Sequence, residues 1–161
     1  APRETRARDS GLLFHMTGED KVWPRSLEFQ IIEGGTGDVI LVDGASMAYD
    51  AALEPRFSGK RAKMLSEDGA RIVSGRINWP GRSPEWKDAL GFRGADDLER
   101  PRGEWNTLEL RCLDGAFSYR VNGGLVMEGK GAEPRKGRLV FQSEGAEIFF
   151  RKLEIEPAPA Q

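Results

Sequence analysis

Residues 104–127 read EWNTLELRCLDGAFSYRVNGGLVM, and this stretch decides the fold. Leu108, Leu110 and Cys112 alternate with Thr107, Glu109 and Arg111, the two-residue period of a half-buried strand. Asp114-Gly115 then gives a hairpin turn dipeptide. A second alternating run follows, with Phe117, Tyr119 and Val121 on one side, and Asn122-Gly123 closes it with another turn. A third strand opens at Leu125. Regularly spaced strands joined by tight turns predict an all-β, antiparallel sandwich.

Outward from this hairpin pair, the same signals recur. Gly137–Gln142 and Glu147–Ile155 predict two closing strands. Upstream, Ser10–Met16, Leu27–Ile32, Asp38–Val42 and Ala70–Trp79 are strand-like. Residues 1–9 are polar and predict a loose terminal segment. Residues 54–69 form a charged excursion, and residues 80–103 predict a long irregular loop, rich in Gly and Pro. No window of the C-terminal third carries a 3.6-residue period, and no internal repeat is present. The whole chain, 1–161, is expected to form one sandwich domain.

Composition narrows the function. A formal net charge of −2 without a long basic run argues against nucleic acid or an anionic membrane surface as partner. No stretch has the apolar length of a membrane span. One cysteine, Cys112, excludes an internal disulfide and a paired-cysteine metal site. Its phase predicts a buried, inert thiol. No GxSxG stands near the single histidine, which argues against an ordinary serine hydrolase.

The polar positions of the strands supply the candidate site. His15 alternates with Leu12, Phe14 and Met16, and Glu28 and Gln30 alternate with Leu27, Phe29 and Ile31. If the two strands are neighbours, His15, Glu28 and Gln30 share one open polar face. Asp38 follows Gly34, Gly35 and Gly37, where it could hold a cation, a sugar hydroxyl or only its own turn. Arg76 and Asn78 share a face of their strand, Trp79 and Trp86 flank the long loop, and Gln142 falls on a polar face. The plainer readings are a hydrogen-bonded surface histidine and a solvated strand glutamate. Arg151 falls in phase with Phe149, Leu153 and Ile155, predicting a partly buried ion pair with Glu144 or Glu147. Trp23 and Trp105 read as packing.

Four segments in order resemble the 3-keto-disaccharide hydrolase family. They are SGLLFH (10–15), WPRSLEFQ (23–30) followed by Gly37-Asp38, GEWNTLELRC (103–112) with VNGGLV (121–126), and GRLVFQSEGAEIFFRKLEIEP (137–157). The resemblance implies a concanavalin-A-like jelly roll and a carbohydrate partner. It also implies cleavage of 3-keto-glycosides through removal of the C2 proton, and a periplasmic or secreted location. A non-catalytic carbohydrate-binding module on the same sandwich is the alternative. On this reading His15 and Glu28 are the catalytic candidates and the candidate ligands of a possible divalent metal. Gln30, Asp38, Arg76, Asn78, Trp79, Trp86 and Gln142 are the substrate-binding candidates. Family members carry further strands before the SGLLFH-like segment, whereas nine polar residues precede it here. The expectation is a sandwich lacking N-terminal strands, whose exposed edge is covered by a second chain or another copy.

Overall fold

The computed structural model describes residues 4–58 and 64–158. It contains eight strands: β1 (Asp9–Thr17), β2 (Arg25–Ile32), β3 (Val39–Ala48), β4 (Arg71–Ile77), β5 (Leu108–Leu113), β6 (Ala116–Val121), β7 (Gly124–Gly129) and β8 (Arg138–Ser143). One short 3-10 helix, Ala51–Arg56, follows β3 and is capped by Asp50, whose side chain accepts from the Ala52 amide. No helix among the described residues is long and apolar enough to cross a membrane.

The strands form two antiparallel sheets, ordered β4-β3-β2-β1-β8 and β5-β6-β7, and pack as a β-sandwich. The second sheet is the stretch quoted above. Asp114 and Gly115 have φ of 48° and 79°, and Asn122 and Gly123 have φ of 50° and 86°. Positive φ at both central residues is what lets a two-residue turn match the strand twist.

Aromatic rings join the sheets. Phe29 of β2 stacks on Tyr119 of β6 with centroids 4.1 Å apart and planes 3° apart. Phe14 of β1 meets Phe117 and Tyr119 edge-on at 5.6 and 5.9 Å. Leu27, Val39, Leu41, Met47, Val121 and Met127 complete this buried core. The Tyr119 hydroxyl donates to the Glu28 carbonyl at 3.3 Å, tying β6 to β2.

The structure departs from the sequence-based expectations in the C-terminal segment, at Trp23 and Trp105 and along β8. Glu147–Ile155 forms no strand: Phe149, Leu153 and Ile155 are exposed, and Lys152 has φ 53°, which breaks an extended run. Arg151 is consequently exposed. Its guanidinium lies 3.9 Å over the Trp105 ring, and it pairs with neither Glu144 nor Glu147. Trp23 and Trp105 are both substantially exposed rather than packed. Leu139 and Phe141, in phase with the core, are also half-exposed, because β8 and β5 end their sheets on open edges.

The long segment after β4 carries no strand, but it is firmly tied down. The Trp86 indole donates to the Glu33 carbonyl at 2.9 Å, and Glu99 accepts from the Gly34 amide and the Thr36 hydroxyl at 2.9 and 2.7 Å. Arg6 pairs with Asp88, Arg8 pairs with Glu33, and the Leu90 amide donates to the Thr5 carbonyl. These bonds fix the segment and the chain before β1 to the β2–β3 turn.

Candidate functional site

The outward face of the five-stranded sheet holds the densest set of buried polar groups. Cross-strand register builds it. Leu13 pairs with Glu28 and with Val140, Glu28 pairs with Ile40, and Ile40 pairs with Arg76. One step along, Gly11 pairs with both Gln30 and Gln142. Residues in one row of a sheet share a face, so Glu28, Gln30, Gln142 and Arg76 converge.

Glu28 is fully buried, and Gln30 is 2 % exposed. The face is therefore closed rather than open, and alternation alone could not reveal that both sides of the sheet are covered. Gln142 Nε2 donates to Glu28 Oε1 at 3.3 Å and to Glu144 Oε1 at 2.6 Å. Glu28 Oε2 and Gln30 Oε1 have no hydrogen-bond partner among the described residues. Burial, then the charges of Glu144 and Asp9, push the Glu28 carboxyl up to about 8, with Arg76 pulling the other way. A carboxyl in this state holds its proton near neutral pH and is a stronger base once ionised.

Gly11 makes room beside it. A Cβ at that position would stand 2.2 Å from Glu28 Oε1, so the missing side chain makes room for the carboxyl. A glycine inside a strand was the sequence signal for this close approach.

Asp38 anchors the other end. Its carboxylate is fully buried and accepts from Arg76 Nε at 2.7 Å, from the Trp79 amide at 2.9 Å and from Arg82. Burial raises this carboxyl above its ordinary range, against the opposing pull of the two guanidiniums and the Trp79 amide. Its oxygens are thus committed to protein donors rather than turned outward toward a cation. Arg82, which sequence reasoning missed inside the loop, also donates to Asn78 Oδ1 at 2.9 Å and lies 4.1 Å over the Trp86 ring. One face of Trp86 is therefore occupied by Arg82, and its edge meets Phe92. Trp79 is 7 % exposed and its Nε1 lacks an acceptor among the described residues.

His15 is placed apart from this cluster. It sits in a bulge of β1 with φ 55°, where register shifts against both β2 and β8. The bulge upsets the alternation that put His15 with Glu28. Its ring lies edge-on to Phe14 at 5.0 Å, and Nδ1 is 2.9 Å from the Pro134 carbonyl. Burial lowers its pKa and the Pro134 bond opposes that shift. His15 is not among the groups that shift the Glu28 carboxyl. Among the described residues no three His, Cys, Asp or Glu side chains are grouped to hold a metal ion, and His15 with Glu28 does not fit one.

A cleft of about 230 Å³ opens beside the Asp38 end, lined by Asn78, Trp79, Trp86, Arg82 and Arg56 among others. Asn78, Trp79 and Trp86 thus line one cleft, whereas Arg76 lies behind it, 5.6 Å from the Trp86 ring.

The structure is an antiparallel sandwich that sets a buried carboxyl among amide and guanidinium groups. Residues 2–156 match the family model described as the 3-keto-alpha-glucoside-1,2-lyase-like domain, and the chain belongs to that family. No curated protein and no solved structure matches the chain.

Proposed function

We propose that this carbohydrate-active chain cleaves 3-keto-glycosides, with Glu28 as the proton-transfer group. The observation that carries this reading is the Glu28 carboxyl, buried, raised to about 8 and flanked by Gln30, Gln142 and Arg76. A ketone at C3 acidifies the C2 proton. Ionised Glu28 takes that proton, the electron pair moves into the C2–C3 bond and the ketone oxygen becomes an enolate. The enolate then collapses to the ketone, the C1–O bond breaks, the departing oxygen takes the proton held by Glu28, and a C1–C2 double bond remains. Addition of water across that bond completes a net hydrolysis.

Arg76 is the positive group nearest this chemistry and stabilises the enolate oxygen. Gln30 and Gln142 bond sugar hydroxyls, and Asn78, Trp79 and Trp86 line the sugar's path in the neighbouring cleft. Asp38 acts by positioning Arg76 and Arg82. Because Glu28 has no exposed surface, substrate reaches it only when chain covering the outer face moves. The family also motivates a periplasmic or secreted location. A strand from another copy or a second chain would suit the open edges of β8 and β5.

The closed position of Glu28 beside an accessible Trp79–Trp86 cleft favours one second reading, a non-catalytic carbohydrate-binding module. The deciding experiment incubates the protein with a 3-keto-glucoside, with and without EDTA, alongside Glu28→Ala and His15→Ala. Turnover that Glu28→Ala loses and His15→Ala keeps supports the proposal. No turnover on any keto-sugar, with binding retained, transfers the chain to the module reading.

A further inference from the structure

The cleft between the 3-10 helix and the loop after β4 has a one-sided chemistry. Its described lining includes two guanidiniums, Arg56 and Arg82, and no carboxylate. Arg82 is spent on Asp38 and Asn78. Arg56 is different: it ends the 3-10 helix half-buried, and its side chain makes no hydrogen bond or ion pair with any described residue. Behind it, two guanidiniums, Arg76 and Arg82, meet one carboxylate, Asp38.

The unspent polar atoms agree with the charge. At this end, the buried atoms without a hydrogen-bond partner are both donors, Trp79 Nε1 and Arg76 Nη2. The latter touches Asp38 Oδ2 at 2.7 Å as an ion pair only. At the Glu28 end they include the acceptors Glu28 Oε2 and Gln30 Oε1. Trp79, which lines the cleft, thus buries a donor with no acceptor among the described residues; that is costly, and an acceptor-rich ligand removes the cost. An apolar indole wall beside a free guanidinium also fits a sugar ring that carries an anionic substituent.

We propose that this cleft binds a carboxylate-bearing saccharide unit of the uronic-acid type, with the carboxylate on Arg56 and the ring along Trp79. This rests on the carbohydrate reading above and names its substrate class: a glycoside with an acidic sugar or acidic leaving group. Arg56 here is a specificity-determining residue outside the proton-transfer chemistry.

The test is calorimetric titration of the whole protein with methyl glucuronide, methyl glucoside, glucose 6-phosphate and sodium acetate. The indole N–H signals of Trp79 and Trp86 are followed by NMR in parallel. The glucuronide is expected to bind about tenfold more tightly than the glucoside, the size of one hydrogen-bonded charge contact. Arg56→Ala removes that preference, Arg56→Lys keeps part of it, and added salt weakens the glucuronide alone. Equal affinity for glucuronide and glucoside, or an undiminished preference in Arg56→Ala, overturns the inference. Acetate binding as tightly as the glucuronide marks an ion site only and also overturns it, while preference for the phosphate overturns the carboxylate assignment. Should Arg56→Ala fail to fold, the four ligands against the parent protein still decide. Turnover of a 3-keto-glucoside without uronide preference sinks this inference alone, and uronide preference without turnover sinks the catalytic reading alone.

Discussion

Replacing Glu28 by Gln should stabilise the protein in a pH-dependent way. The folded carboxyl is raised from an ordinary 4.5 to about 8, chiefly because it is buried. Between those values the folded chain keeps a proton that the unfolded chain has released. Stability therefore falls as pH rises through this window, by up to about 1.4 kcal/mol per pH unit, and levels off above it. Across the window the loss has a ceiling on the order of 5 kcal/mol. Gln keeps the shape, and its carbonyl can still accept from Gln142 Nε2, but it never ionises. Urea unfolding of both proteins at pH 5, 6, 7, 8 and 9 measures the difference. The variant should be close to the parent at pH 5 and gain steadily up to pH 8. A difference that stays constant across the series would refute the claim that Glu28 is a carboxyl held neutral by its surroundings.

Asp38→Asn leaves Arg76 and Arg82 clustered without their counter-charge and should cost about 3–5 kcal/mol in urea unfolding; a loss under about 1 kcal/mol, the worth of an exposed pair, contradicts the buried hub. Gly11→Ala forces a methyl into the Glu28 carboxyl and should cost about 1–3 kcal/mol, and a neutral result would mean that the close approach is absent. The Cys112 thiol, pushed up to about 11 by burial, should react with iodoacetamide about a hundredfold more slowly in the native than in the unfolded protein at pH 8, and equal rates would place it at the surface.

The second sheet was legible because alternation and paired-turn dipeptides act locally: residues 108–129 fold as the pattern dictates. Residues 147–155 alternate almost as well, yet pairing is a long-range matter. No neighbouring strand receives them, and Lys152 leaves the extended region. On the candidate face, phase correctly grouped Glu28 and Gln30, while cross-strand register added Gln142 and Arg76. His15 was misplaced because a bulge changes phase without a residue type that announces it. Arg82 escaped notice because a loop has no period. Only the fold brings it back across 44 positions to Asp38.

The central claim is that Glu28 moves the C2 proton. Following exchange of that proton in D₂O by NMR, with a 3-keto-glucoside and the parent protein, isolates this step from bond cleavage. Exchange should quicken as pH rises through about 8, where Glu28 ionises, and level off above it, and Glu28→Gln should slow it by roughly 10²–10⁴-fold while His15→Ala leaves it near the parent rate. Exchange at the parent rate in Glu28→Gln would contradict the account.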